Sequence, residues 1–201
     1  MPPLPIITSF YGGSVSALTC MKGIYAESVM NDILTTICTR RSCRSFQQTM
    51  PPRDLLEQIA KAGSYAASGR GKQSPIIVVV TDKETRDQLA AMNARFLGVD
   101  SDPFYGAPCL MVVLAQTSFP TYLYDGSLVM GNLMLAAHAL NLGSCWIHRA
   151  KEEFADAEGK LLLQKWGLTD AYEGIGHCVL GYPAHAPDKP LPRKPDYIRF
   201  V

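Results

Sequence analysis

The order of helix-forming and strand-forming segments along this chain predicts an α+β domain, with helices packed on a sheet. Three observations carry the prediction. Ile76 to Val80 is an unbroken β-branched run, as expected of a strand buried on both faces. Cys109 to Ala115 is a second apolar run of strand length. From about 124 to 142 the chain carries Leu128, Val129, Met130, Leu133, Met134, Leu135 and Leu140 with almost no polar face. Such a helix needs cover on every side, and a small monomer seldom supplies it.

The remaining elements follow in order. Asn31 or Asp32 caps a short helix to about residue 40, with Ile33, Leu34 and Ile37 on one face. A polar, extended stretch spans residues 41–49. Pro51 and Pro52 open a second helix, whose Leu55, Leu56 and Ile59 oppose Arg53, Glu57 and Lys61. It ends near 64–67, before a glycine-rich loop, Ser68 to Gln73. After the strand at 76–80, Lys83 to Phe96 reads as a surface helix with Leu89 and Met92 inward. The loop from Gly98 to Pro108 leads to the second strand. Gly143 ends the apolar helix, and Cys145-Trp146-Ile147 is a short strand. One helix follows at 151–166, then a strand from Gly176 to Tyr182. Beyond Pro183 a proline-rich arm ends in Tyr197 to Val201, an alternating strand suited to a neighbour's sheet edge.

With 201 residues, 47% of them hydrophobic and 18% charged, the chain suffices for one domain with a real core. A net charge of +1 offers no global field for nucleic acid or an acidic membrane, so any bound anion is held locally. No apolar stretch reaches the roughly 18 residues of a membrane span. The six cysteines show no paired spacing, which predicts reduced thiols and a cytoplasmic location. Residues 1–29 hold one basic residue, Lys22, placed after the apolar part rather than before it, so they are not read as a secretory signal. They are expected to be an extension, with the domain proper over 30–201.

Three clusters carry chemistry. Arg40-Arg41-Ser42-Cys43-Arg44 gathers guanidiniums where helix gives way to extended chain, and arginine forks suit a phosphate dianion. The bland alternative is a basic helix end complementing its dipole. The Ser68–Gln73 loop lets backbone amides approach a flat or charged ligand, or is simply a turn needing glycine. It is no P-loop, and no Gly-x-Gly-x-x-Gly occurs anywhere in the chain. The strand at 145–147 ends in His148-Arg149, and strand ends are where open α/β sheets keep ligands. His148 is read as a rim residue before a general acid, and His138 as a hydrogen-bonded core histidine. His177 and His185 belong to no constellation. No nucleophilic triad or metal-ligand spacing stands out, so no metal site is expected.

Taken in order, these motifs resemble the nitroreductase family over about residues 30–201. The likeness rests on Arg40-Arg41-Ser42-x-Arg44-x-Phe46, Ala67-Ser68-Gly69-Arg70-Gly71-x-Gln73, Phe104-Tyr105-Gly106-Ala107-Pro108, Asp125-Gly126 and Gly131-Asn132. It is completed by Leu142-Gly143-Ser144-Cys145-Trp146-Ile147, Gly181-Tyr182-Pro183 and Arg193-Lys194. The resemblance implies a three-layer fold with a mixed, mainly antiparallel sheet flanked by helices. It also implies an intertwined homodimer with C-terminal strand exchange and two FMN sites built from both chains. Arg40, Arg41, Ser42 and Arg44 match phosphate and ribityl contacts, with Arg193 nearby. Ala67, Ser68, Gly69, Arg70 and Gln73 match a loop covering the ring from the partner, and Trp146, Ile147, His148 and Arg149 match the strand facing the flavin edge. The loop departs from the family's common Pro-Ser-x-x-Asn-x-Gln-Pro-Trp, with Ala67, Gly71, Ser74 and Pro75 at the Pro, Asn, Pro and Trp positions.

The function so implied is NAD(P)H-dependent reduction of a small oxidised acceptor (nitroaromatic, quinone or enone) through bound FMN, by a ping-pong scheme. The flavin carries the chemistry, so no catalytic side chain is assigned. Two rivals stay open: a non-enzymatic flavin-binding sensor or reservoir, and a flavin enzyme of the same fold that does not use nicotinamide.

Overall fold

A strand flanked by strands in its sheet and by helices on both faces has no solvent side, and the apolar run Cys109–Gln116 (β2) takes that place. The computed structural model describes residues 32–169, 171–186 and 189–201. A helix over residues 32–39 (α1) comes first, and residues 39–201 form one compact unit. In that unit Pro75–Val80 (β1), β2, Gly143–Ile147 (β3) and Tyr172–Gly181 (β4) make a sheet in the order β1-β2-β4-β3. All three pairings are antiparallel. The parallel component of the expected mixed sheet is reduced to an isolated bridge between Ser42 and Ser144.

Side chains alternate across a strand, so β2 feeds two cores. Leu110, Val112 and Leu114 join Leu89, Phe154 and Leu163 on one face. Met111, Val113 and Ala115 join Ile59, Met130 and Leu133 on the other. The first face is covered by Lys83–Leu97 (α3), Ala150–Ala155 (α5) and Ala157–Lys165 (α6), the second by Arg53–Ser64 (α2) and Tyr122–Ala139 (α4). Helices on both faces of a sheet make the three layers.

Several expectations need correction. β1 lies at a sheet edge and is half-buried, with Val79 41% exposed; a β-branched run suits one covered face as well as two. The helix expected at 151–166 is two helices, broken at Asp156, whose backbone is extended (ψ 160). Gly159 permits the break, because a Cβ there would lie 2.0 Å from the Glu153 carbonyl oxygen. Asn141, not Gly143, takes the left-handed conformation after α4 (φ 59), leaving Gly143 to start β3. β4 begins at Tyr172 and carries an irregularity opposite Val113/Leu114, which hid its first half from a period-of-two reading. Residues 197–201 pair with no strand among the described residues of this chain; the segment is bend and irregular. A strand exists only with a ladder partner. The expected extension at 1–29 and the cap at Asn31 lie outside the described residues. Among the described residues no helix is long and apolar enough to cross a membrane.

Candidate functional site

Extended chain after a helix has unpaired backbone groups, and here β3 and the end of β4 take them up. The Cys43 N–H donates to the Ser144 carbonyl (2.9 Å), the Gln47 N–H to Tyr182 (2.9 Å), and the Ala184 N–H to Ser45 (3.0 Å). The pairing lays the arginine segment along the start of β3. Arg40, Arg41 and Ser42 are half-buried and Arg44 is exposed. Arg44 lines a cavity of about 280 Å³ together with Tyr105, Trp146, Ile147, His148 and Arg149. The arginine segment and the strand end, some hundred residues apart in sequence, therefore meet at one place.

Arg44 and Arg149 line the cavity together with Asp102, whose carboxylate is paired with Arg86. The Nη1 of Arg40 is buried with no hydrogen-bond partner among the described residues. Buried donors are almost always paired, so this one suits an acceptor from a ligand. His138 Nε2 is hydrogen-bonded to Thr39 Oγ1 at 2.9 Å. Burial lowers the His138 pKa below its ordinary 6.5, and Arg40 and Arg41 lower it further. The ring is thus a half-buried neighbour of the arginines rather than a core residue. Burial raises the Cys145 pKa, against opposing pulls from Arg44, Ser42 and Arg40. Buried Cys109 is pushed up to about 12, so it is an inert thiol. Three guanidiniums and a hydroxyl, one guanidinium N–H buried and unspent, fit a phosphate dianion.

The turn from β3 into α5 is the other half of this pocket. Arg149 adopts φ 80 there, a left-handed backbone uncommon outside glycine. Behind it stand wholly buried polar side chains from three elements: Asn93 of α3, Glu153 of α5 and His177 of β4. Asn93 Nδ2 donates to the His148 carbonyl (2.7 Å) and to Glu153 Oε1. Arg149 Nε donates to Asn93 Oδ1 (3.3 Å), and Glu153 Oε2 is bonded to His177 Nε2 at 2.9 Å. Sequence reasoning missed this set. The one available signal was a histidine inside the apolar run of β4.

The Ala67–Gln73 loop is elsewhere in the chain. Ala67, Ser68 and Gln73 line a separate cavity of about 490 Å³ with Ser64, Ile77 and Val129. Arg70 (φ 54) and Gln73 (φ 50) hold left-handed backbones and stand exposed. Asp125 at the start of α4 fixes the loop: its carboxylate accepts from the Gly69 N–H (2.9 Å), Ser74 Oγ (3.1 Å) and Thr121 Oγ1 (3.0 Å). Gly69 is required there, since a Cβ would meet the Thr121 hydroxyl at 2.2 Å. Arg193 is exposed in the tail and makes no hydrogen bond or ion pair with a described residue. Within one chain, then, Arg44 and residues 146–149 share a cavity with Arg40 to Ser42 beside it, while neither the loop nor Arg193 joins them.

Three layers around an antiparallel sheet, with an arginine-lined cavity at a strand end, define an α+β class of protein. Within that class the chain belongs to the nitroreductase family: the profile described as Nitroreductase family matches residues 37–99 and 93–182. A relative from Archaeoglobus fulgidus, provisionally named NADH dehydrogenase/NAD(P)H nitroreductase, is 30% identical over 165 residues, covering 79% of this chain and 90% of that one. The NADPH-flavin oxidoreductase of Vibrio harveyi is 26% identical over 180 residues, 84% of this chain and 72% of that one. The crystal structure of a nitroreductase with bound FMN from Bacteroides fragilis superposes with a TM-score of 0.78 at 28% identity, over 85% of this chain and 99% of that one.

Proposed function

We propose that this chain is an FMN-dependent oxidoreductase, working as a homodimer, that moves electrons from NADH or NADPH to a small oxidised acceptor. The observation that carries the reading is the buried, unspent Nη1 of Arg40 beside Arg41, Ser42 and Arg44, next to a strand-end cavity. FMN rather than FAD suits this site, because the anion donors are a compact set and the chain has no Gly-x-Gly-x-x-Gly. Bound FMN supplies hydride acceptance from the nicotinamide and hydride delivery to the acceptor, a nitroaromatic, quinone or enone.

The chain's own residues bind, orient and cover. Arg40, Arg41, Ser42 and Arg44 hold the phosphate and ribityl chain, with Arg193 arriving from the tail. Trp146, Ile147, His148 and Arg149 line the ring edge through their backbone. Ala67, Ser68, Gly69, Arg70 and Gln73 cover the ring from the partner subunit. The separation of this loop from the arginine cavity within one chain supports a site completed by a second copy. Donor and acceptor visit the same cavity in turn, the basis of a ping-pong scheme.

The dimer reading draws on α4. Its face bearing Asp125, Val129, Leu133 and Ala137 is buried in the chain, whereas Tyr124 and Leu128 are 70% and 50% exposed. Gly131 continues the exposed stripe, and a Cβ there would meet nothing within 4 Å. Apolar side chains beside an open glycine suit the close approach of another helix. Leu191, Tyr197, Ile198 and Phe200 of the tail are also exposed, consistent with an arm reaching the partner.

The test is the visible spectrum of the purified protein, mass analysis of any flavin released, and anaerobic addition of NADH and NADPH. FMN in the protein, bleached by one of the nicotinamides, is the expected result. FAD, or no flavin after reconstitution, overturns the cofactor assignment. FMN that neither nicotinamide reduces leaves a flavoprotein of another use.

A further inference from the structure

Buried polar side chains need a reason, since a core this apolar closes more easily without them. Asn93, Glu153 and His177 are fully buried, come from three elements, and converge behind the 148–149 turn. They sit in the layer of Phe104 and Phe154, whose ring centroids are 5.2 Å and 6.3 Å from that of His177. Asn93 spends its amide on the turn: one end donates to the His148 carbonyl, the other accepts from Arg149 Nε. Glu153 closes the turn from the helix side, its N–H donating to the Arg149 carbonyl at 3.0 Å. His177 Nδ1 has no hydrogen-bond partner among the described residues. The tautomer protonated at Nε2 therefore suits the site, giving Glu153 a donor and leaving only a bare acceptor behind. The residue so clamped, Arg149, has the left-handed backbone that a side chain disfavours.

We propose that Asn93, Glu153 and His177 are positioning residues for the flavin edge: they hold the His148–Arg149 peptide in its left-handed turn and aim its backbone at the ring. The proposal rests on the flavin reading above. None of the three lines the cavity; Asn93 and Glu153 act on it through the turn they grip, and His177 acts through Glu153. A network that served only to hold α3, α5 and β4 together would change stability and leave the flavin's properties alone.

The experiment compares holoprotein of wild type, Asn93→Leu and Glu153→Gln by photoreduction potentiometry and visible spectroscopy, with no nicotinamide required. Leucine fills the volume of asparagine without its hydrogen bonds, and glutamine offers one acceptor oxygen where the carboxylate offers two, so Asn93 and His177 cannot both donate to it. Asn93→Leu is expected to change the ratio of oxidised to reduced flavin at fixed potential by at least tenfold, about 30 mV for two electrons. It should also displace the visible band. Glu153→Gln should change both in the same direction, by at least threefold in the ratio. If Asn93→Leu does not fold, Asn93→Ser removes the same contacts to Arg149 with less bulk and is read the same way. A lowered melting temperature with unchanged potential and band overturns the positioning role and leaves the flavin reading standing. Wild-type protein that takes up no flavin overturns the flavin reading, and this proposal with it.

Discussion

At the scale of single residues, the site is made of guanidiniums gathered beside one strand, β3. Arg44 is exposed and lines the cavity, so its guanidinium is available for a ligand. Arg44→Ala should weaken FMN binding by about 2 kcal/mol, the value of one charge-assisted bond, and leave flavin-free stability nearly unchanged. Titration of FMN into flavin-free mutant and wild type reads the difference, and equal affinities would remove Arg44 from the phosphate site. His138 supplies a pH-dependent counterpart. Burial first, then Arg40 and Arg41, lower its pKa in the folded chain. The unfolded chain therefore takes up the proton first as pH falls. Stability from the neutral ring is complete above about 6.5 and declines as pH drops through that value. Flavin-free His138→Gln should lose less melting temperature than wild type between about pH 7 and pH 5. Calorimetry of the two proteins across that window measures it; parallel losses would mean that His138 ionises alike in both states.

At the scale of elements, α4 and α6 make opposite demands on glycine. Gly159 packs against the last turn of α5 so closely that a methyl group has nowhere to go. Gly159→Ala should cost about 1–3 kcal/mol as overpacking, read by denaturant unfolding. Gly131 faces open space within its own chain, so Gly131→Leu should leave the fold intact and block association. Circular dichroism unchanged, with the dimer lost on a sizing column, is the expected pair of results; a dimer that survives would move the interface off this face. The two helices also mark how far the sequence could be read. α4 was legible because its apolar residues run the length of a long segment, a signal local to the chain. The α5–α6 break was not, because it depends on α6 docking against the Glu153 carbonyl, a contact no periodicity encodes. β1 was placed correctly in sequence but not in the sheet, since five β-branched residues describe a strand and not its neighbours.

At the scale of the whole molecule, the arginine segment and the residue 146–149 turn were legible as separate clusters of polar side chains at element ends. The Asn93–Glu153–His177 set was not, because its members lie 60 and 24 residues apart and become a network only through the three-layer packing. The same packing leaves two separate features in one chain: an arginine-lined cavity at the end of β3, and a glycine-rich loop held by Asp125 beside another cavity. In the proposed dimer a shared site would join them, tie flavin binding to association, and make each stabilise the other by mass action. Sizing chromatography with in-line light scattering and visible absorbance, after incubation with FMN, measures both at once. The shared site predicts a single species near twice 22.0 kDa that carries the flavin band, with no band on any monomer. A folded species near 22.0 kDa that carries the band would contradict it.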